Sequence, residues 1–221
     1  MALDALIISP QYQPGDDVGF NGQRCRKTIF SDILPACSVE VIVETGTWLG
    51  NTSGYMAQTS GCPVFSCELD LRFHTLARQR LAGVPNINLE VSDSRNFLKK
   101  LSASPVTSQC TFFYLDAHWY FDLPLVEELE IITAHWKQFV VMIDDFKVPD
   151  DGGYAYDDYG GANVLSLDLL APSVRKHNLA VYFPAAPSRD ETGSKRGCVV
   201  LAPHGPFSKK LSELNSLRPF K

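Results

Sequence analysis

The sequence predicts an α/β fold: a doubly wound, mostly parallel sheet of seven strands with an N-terminal helical extension. Two observations carry the prediction. Seven short runs of β-branched, aromatic and aliphatic residues recur along the chain, nearly continuous in their apolar character, as strands buried on both faces require. Between most of them lie stretches with apolar residues at helical spacing, the alternation that right-handed βαβ crossovers produce. The length of 221 residues suits one such unit, and 45% hydrophobic with 20% charged residues is enough to build a core.

Residues 10–23 are rich in turn formers (Pro10, Pro14, Gly15, Gly19, Gly22) and read as an irregular lead-in. A helix over 24–37 follows from Ile29, Phe30, Ile33 and Leu34. The first strand is Val41–Glu44, followed by a glycine turn and a helix over 52–60. Val64–Glu68 is the second strand; Asp70 then caps a helix over 71–82 that stops near Gly83. The third strand is Ile87–Val91, with Asp93-Ser94 opening a helix over 95–102. After the fourth strand, Thr111–Leu115, Asp122 is the expected cap of a helix over 123–136 that carries Pro124 early, where proline is tolerated. Phe139–Ile143 is the fifth strand. A helix near 163–176 and strands Ala180–Phe183 and Cys198–Ala202 complete the pattern. Residues 1–40 are thus a lead-in and helix of the same unit, 41–205 the main domain and 206–221 a tail.

The 20 Lys+Arg against 25 Asp+Glu leave a net charge of −5, which argues against non-specific nucleic-acid or anionic-membrane partners. The six cysteines form no C-x-x-C pair and read as reduced thiols. No apolar run approaches the roughly 20 residues of a membrane span, and no basic segment precedes the short apolar N-terminus, so a cytoplasmic protein is expected.

The position of the acids is more informative than their number. Glu44, Glu68, Asp93, Asp116 and Asp144 fall at strand ends, at intervals of 24, 25, 23 and 28 residues. In a doubly wound sheet ligands bind outside those ends. Any one acid can be a helix cap, a competing reading that is strongest for Asp93. Five in phase at one edge repel one another unless something binds there. The first turn, Glu44-Thr45-Gly46-Thr47-Trp48-Leu49-Gly50, lacks the G-x-G-x-x-G dinucleotide pattern, and its acid disfavours a pyrophosphate. A cationic or zwitterionic ligand fits better.

These residues resemble the class I S-adenosylmethionine-dependent methyltransferases, over roughly residues 41–202. In that family an acid-x-Gly-x-x-x-Gly turn holds the amino-acid end of the cofactor. Here Glu44, Thr45, Gly46 and Gly50 match it, with Asn51 and Thr52 following. The family's acid ending the second strand binds the ribose hydroxyls, which implies Glu68, through charge-assisted hydrogen bonds. Its contact to adenine after the third strand implies Asp93 and Ser94, and Asp116 borders the same ligand. The resemblance also implies a Rossmann-like sheet whose last strand inserts antiparallel.

Asp116, with Asp144 and Asp145, resembles the metal-binding segments of Mg²⁺-dependent O-methyltransferases of the catechol and macrolide or aminocoumarin sugar types. Carboxylate oxygens suit a hard ion such as Mg²⁺. Neighbours on a regular strand point to opposite faces, so Asp144 and Asp145 converge only where the strand ends. His118 is the expected general base, with metal ligand or substrate hydrogen-bond partner as competing roles. The catechol type has a lysine three positions after the acid, where this chain has Trp119; the sugar type has an acid two positions on, where this chain has His118. His74, His135, His177 and His204 read as surface.

The acidic, aromatic, glycine-rich segment 149–162 reads as a lid presenting Tyr154, Tyr156 and Tyr159 to substrate, with Trp119 also substrate-facing. Gln23 or Arg24 is placed within reach of ligand, and Trp136 with the aromatic N-terminal segment at a homodimer contact. The expected function is therefore S-adenosylmethionine- and Mg²⁺-dependent O-methylation of a small hydroxylated molecule: a sugar, a catechol-like compound or a natural product. The alternatives are a metal-independent methyltransferase, a non-catalytic nucleotide-ligand-binding module, and a nucleotide-cofactor oxidoreductase, which the missing glycine pattern disfavours.

Overall fold

Along β1 (Val41–Thr45) all five residues are buried, and alternate side chains enter two different cores. Val41 and Val43 join the core under α4 (Ser94–Ser102), α5 (Leu125–His135) and α6 (Leu167–Lys176). Ile42 joins the opposite core, built on α1 (Arg24–Cys37), α2 (Asn51–Ser60) and α7 (Pro206–Ser212), with Leu81 just beyond α3 (Leu71–Arg80). The same alternation runs through β2 (Val64–Glu68), β4 (Thr111–Leu115) and β5 (Phe139–Ile143), which explains why their sequences are continuously apolar. The computed structural model describes residues 18–118, 122–161 and 163–220.

The sheet order is β3-β2-β1-β4-β5-β7-β6-β8, with β3 being Ile87–Val91, β6 Leu179–Pro184, β7 Val199–Pro203 and β8 Leu217–Pro219. Strands β1 to β5 are parallel neighbours, and β7 inserts antiparallel between β5 and β6. The order reverses between β1 and β4, the switch point where a doubly wound sheet opens a ligand crevice.

Three expectations need correction. The sheet has eight strands, not seven: the segment read as a tail forms α7 and then β8, which pairs antiparallel with β6. Three residues are too few to show a periodicity, but Leu217 is buried and the Phe220 ring packs 5.9 Å from that of Phe183. Asp122 does not cap α5; its N-cap is Pro124, and the Asp122 carboxylate accepts from Arg95 at 2.7 Å. The helix expected from 163 starts at Leu167, because Val164 bridges to Asp158 and the Leu165 carbonyl accepts from Lys147 N–H.

Two residues expected at the surface are inside. Trp136 is buried, with its ring edge-on to Phe113 at 5.2 Å, so it is not available to a second subunit. His74 is buried on α3. Among the described residues no helix is long and apolar enough to cross a membrane, and all six cysteines are free.

Gly46 and Glu44 shape the switch point. Gly46 has φ +85°, and a Cβ there would stand 2.3 Å from the Asp116 carbonyl oxygen. Only glycine lets the first turn close onto the end of β4. Glu44 lies one layer below, buried, accepting hydrogen bonds from Ser53 and from its β2 partner Ser66 (2.6 Å). Burial outweighs those hydroxyls and lifts its pKa to about 7.

The folded state therefore holds the Glu44 proton across a range in which an unfolded chain has released it. Glu44 favours folding at acid pH, and that contribution is lost as pH rises from about 4.5 through about 7. Urea unfolding at pH 5 and pH 8 should show the wild type losing roughly 2 kcal/mol more than Glu44→Gln over this interval. Parallel pH profiles for the two proteins would contradict it.

Candidate functional site

A cleft of about 690 Å³ opens at the carboxyl ends of the parallel strands. That size suits one cofactor-sized molecule. Gly46, Glu68, Asp93, Ser94, Asp116 and Asp145 line it. The Glu68 carboxylate accepts from Trp48 N–H at 2.8 Å and from Asp70 N–H at 2.9 Å, so backbone donors on both sides hold it at the strand end. Asp93 does act as the α4 cap, accepting from the Arg95 and Asn96 amides, and the Arg95 guanidinium beside it holds its pKa below the ordinary value. It still faces the cleft.

Other expected cofactor contacts lie elsewhere. Glu44 and Thr45 are buried beneath the first turn, and Gly50 packs against Leu81. The Thr52 hydroxyl accepts from Phe20 N–H at 3.2 Å, and none of these residues, nor Asn51, borders the cleft. Strand alternation is the reason: an acid inside a buried strand points into a core, whereas one at its last residue or beyond is free to turn to the crevice.

Asp144 and Asp145 both lie beyond β5, and the backbone conformation there separates them. Asp144 continues the β5 alternation onto the α1 face, where it is fully buried. There it pairs with the buried Arg26, accepts from Tyr114, and accepts from the amide of Asp145 at 2.7 Å. Although burial opposes its charge, Arg26 and the Tyr114 hydroxyl keep its pKa below the ordinary value. Asp145 has φ +53°, a left-handed turn that swings its carboxylate out into the cleft. The expected trio of Asp116, Asp144 and Asp145 is thus replaced by Asp116, His118 and Asp145, whose ligand atoms lie within 4.8 Å of one another.

Charge in this corner is strongly perturbed. Burial, then Asp144 and Asp145, raises the Asp116 pKa well above an ordinary aspartate, although 31% of the side chain stays exposed on the cleft floor. Burial and Asp144 lift Asp145 to about 7, with Arg196 opposing. His118 is 3% exposed, and burial lowers its pKa against the opposing pull of Asp144 and Asp157. Among the described residues its Nε2 has no hydrogen-bond partner, and it stands 3.9 Å from carboxylate oxygens of both Asp116 and Asp157.

Arg196 escaped the reading of the sequence as part of the site, while Asn21 and Arg26, in the segment around Gln23 and Arg24, and Asp157, in the expected lid, had no individual role in it. Arg26 did carry a signal, since it shares the buried stripe of α1 with Ile29, Phe30, Ile33 and Cys37. Arg196 carried none; its guanidinium bonds Asp145 (2.6 Å) and Asp157, joining β5 to the following loop. Gln23 is fastened to the Arg196 backbone and Arg24 to the Asp190 carbonyl, while Asn21 is the N-terminal residue that lines the cleft.

The expected lid is a packed loop. Tyr154 is 2% exposed and donates to the Ala186 carbonyl at 3.0 Å, so it does not face a substrate. The Tyr156 ring lies under the Lys147 ammonium, and the single Tyr159 hydroxyl proton is shared between the His118 carbonyl at 3.1 Å and the Asp157 carboxylate. Trp119 lies outside the described residues.

No protein-family model and no curated protein matches the chain. Solved structures do. A putative O-methyltransferase from Klebsiella pneumoniae aligns with TM-score 0.57 and 16% identity, covering 92% of this chain and 88% of its own. An O-methyltransferase from Bacillus cereus, solved in complex with SAH, aligns with TM-score 0.56 and 14% identity over 90% of this chain and 87% of its own. TomG from Streptomyces achromogenes, an O-methyltransferase involved in tomaymycin synthesis and solved with SAM, aligns with TM-score 0.54 and 16% identity over 81% and 80%. At these identities the likeness is one of fold: this chain has the Rossmann-like fold of class I methyltransferases.

Proposed function

We propose that this chain is an S-adenosylmethionine-dependent O-methyltransferase that acts on a small hydroxylated acceptor with the aid of a divalent ion, for which the sequence suggests Mg²⁺. One observation carries the reading. At the switch point of a methyltransferase-like sheet, Gly46, Glu68 and Asp93 share a single cleft with Asp116 and Asp145, and the buried His118 ring stands beside these last two.

On this reading each half of the cleft has its own task. Glu68 accepts from the two vicinal ribose hydroxyls, Gly46 admits the cofactor's amino-acid end to the backbone, and Asp93 with Ser94 borders the adenine. Asp116, His118 and Asp145 hold the ion. When bound, the cofactor supplies a methyl group on a sulfonium and the ion supplies Lewis acidity to an acceptor oxygen. Charge balance supports a divalent guest: the four carboxyls of Asp116, Asp144, Asp145 and Asp157 face only the two guanidiniums of Arg26 and Arg196, so full ionisation would leave a surplus of two negative charges. Buried like charges of that number repel unless a cation joins them.

The proton of the acceptor hydroxyl needs a base at the cleft. His118 is poorly placed for it, since its Nε2 is enclosed and the residue does not line the cleft. Asp116 is partly exposed on the cleft floor, where its carboxylate could take that proton, and with Asp145 it would be among the groups that hold an ion supplying Lewis acidity.

A second reading, a metal-independent methyltransferase, is favoured by the guanidinium of Arg196 already resting on Asp145 and Asp157. The two readings part in a methyl-transfer assay against catechols, sugars and phenols. With the ion required, chelator abolishes transfer and Mg²⁺ or another divalent ion restores it; full activity in chelator would select the second reading. Asp116→Asn should lower kcat by roughly 10²–10⁴-fold, the usual worth of a positioned base. An unchanged kcat would remove Asp116 from the chemistry.

A further inference from the structure

The donor set itself bears on which ion binds. A group of carboxylates says little alone, because acidic clusters commonly stand without a metal. Here a second observation points inward: Nε2 of His118, a residue 3% exposed, has no hydrogen-bond partner among the described residues and faces the oxygens of Asp116 and Asp157 at 3.9 Å. That separation is too long for a hydrogen bond. A buried polar atom left unsatisfied costs about 1–3 kcal/mol, so a native site normally provides a partner. The His118 carbonyl is held from outside by the Tyr159 hydroxyl, which fixes the backbone where the ring points into the group.

We propose that Asp116, His118 and Asp145 form a mixed nitrogen–oxygen site selective for a divalent first-row transition ion in preference to Mg²⁺. This rests on the reading that the site holds a divalent ion, and it refines which one. Mg²⁺ takes oxygen ligands and keeps much of its water, so an imidazole in its coordination sphere contributes little. Imidazole suits iron, nickel, copper and zinc, and affinity rises from Mn²⁺ through Co²⁺ along the row, while carboxylates accept manganese as readily as magnesium. One imidazole with two carboxylates therefore favours ions that accept both donor types. The remaining coordination positions stay open for water and an acceptor oxygen.

The test uses the full chain with Mn²⁺, Co²⁺ and Mg²⁺ as probes, by calorimetric titration. The wild type should bind Co²⁺ and Mn²⁺ more tightly than Mg²⁺, by about 100-fold or more for Co²⁺. Since any site favours Co²⁺ to some degree, the discriminating quantity is the dependence on His118. In His118→Asp the Co²⁺-to-Mg²⁺ affinity ratio should fall about tenfold or more, with Mg²⁺ binding retained. Independently of any variant, pulsed electron paramagnetic resonance of Mn²⁺ on the wild type should show ¹⁴N coupling from a coordinated imidazole. Comparable Mg²⁺ and Mn²⁺ affinities, or Mn²⁺ without nitrogen coupling, would overturn the selectivity while leaving a metal site. Absence of binding by all three ions would overturn the metal reading itself, and the selectivity with it.

Discussion

The buried ion pair between Arg26 and Asp144 is the interaction on which the rest of the site depends. It joins α1, the helix before the first strand, to the end of β5. The same guanidinium donates to the carbonyls of Arg196 and Gly197 (2.9 Å for the latter), fixing the chain that enters β7. Removing one member of such a pair strands a buried charge, at a cost of about 3–5 kcal/mol. With Asp144 committed inward, the left-handed turn at Asp145 delivers the next carboxylate outward, and the cleft acquires its acidic corner. The N-terminal helix is therefore part of the site's foundation.

Electrostatics then divides the cleft into two regions. Around Glu68 and Asp93, backbone amides and Arg95 stabilise the charged carboxylates, which stand ready as acceptors. Around Asp116 and Asp145, burial and mutual repulsion make the charged forms costly, and Arg196 compensates only part of it. The first region suits a neutral polyhydroxyl ligand; the second suits a cation. The packed loop carrying Asp157 and Tyr159 closes the second region from the side through Arg196 and the His118 carbonyl.

Much of this was legible in the sequence. The continuous apolar runs located β1 to β5 nearly to the residue because burial on both faces leaves no other pattern. Asp70 and Asp93 announced their helices because a side-chain cap is a local interaction. The in-phase acids located the crevice, but their roles depended on details that spacing does not carry. Glu44 and Asp144 point inward through strand alternation, and Asp145 points outward through one backbone rotation. Arg196 and Asp157 meet across 39 residues, a contact no local pattern encodes. The tyrosines of segment 149–162 looked like a lid by composition, yet Tyr154 found a carbonyl and a buried position. β8 depended on tertiary pairing over three residues.

The central claim is that the crevice between β1 and β4 receives an adenosyl cofactor whose ribose is held by Glu68. Calorimetric titration of the full chain with S-adenosylhomocysteine, beside Glu68→Ala, addresses it most directly. The account predicts saturable one-to-one binding to the wild type and a loss of roughly 100-fold or more in the variant, since two charge-assisted hydrogen bonds, each worth about 10-fold or more, are removed. No binding at millimolar ligand, or equal affinity in the two proteins, would contradict it.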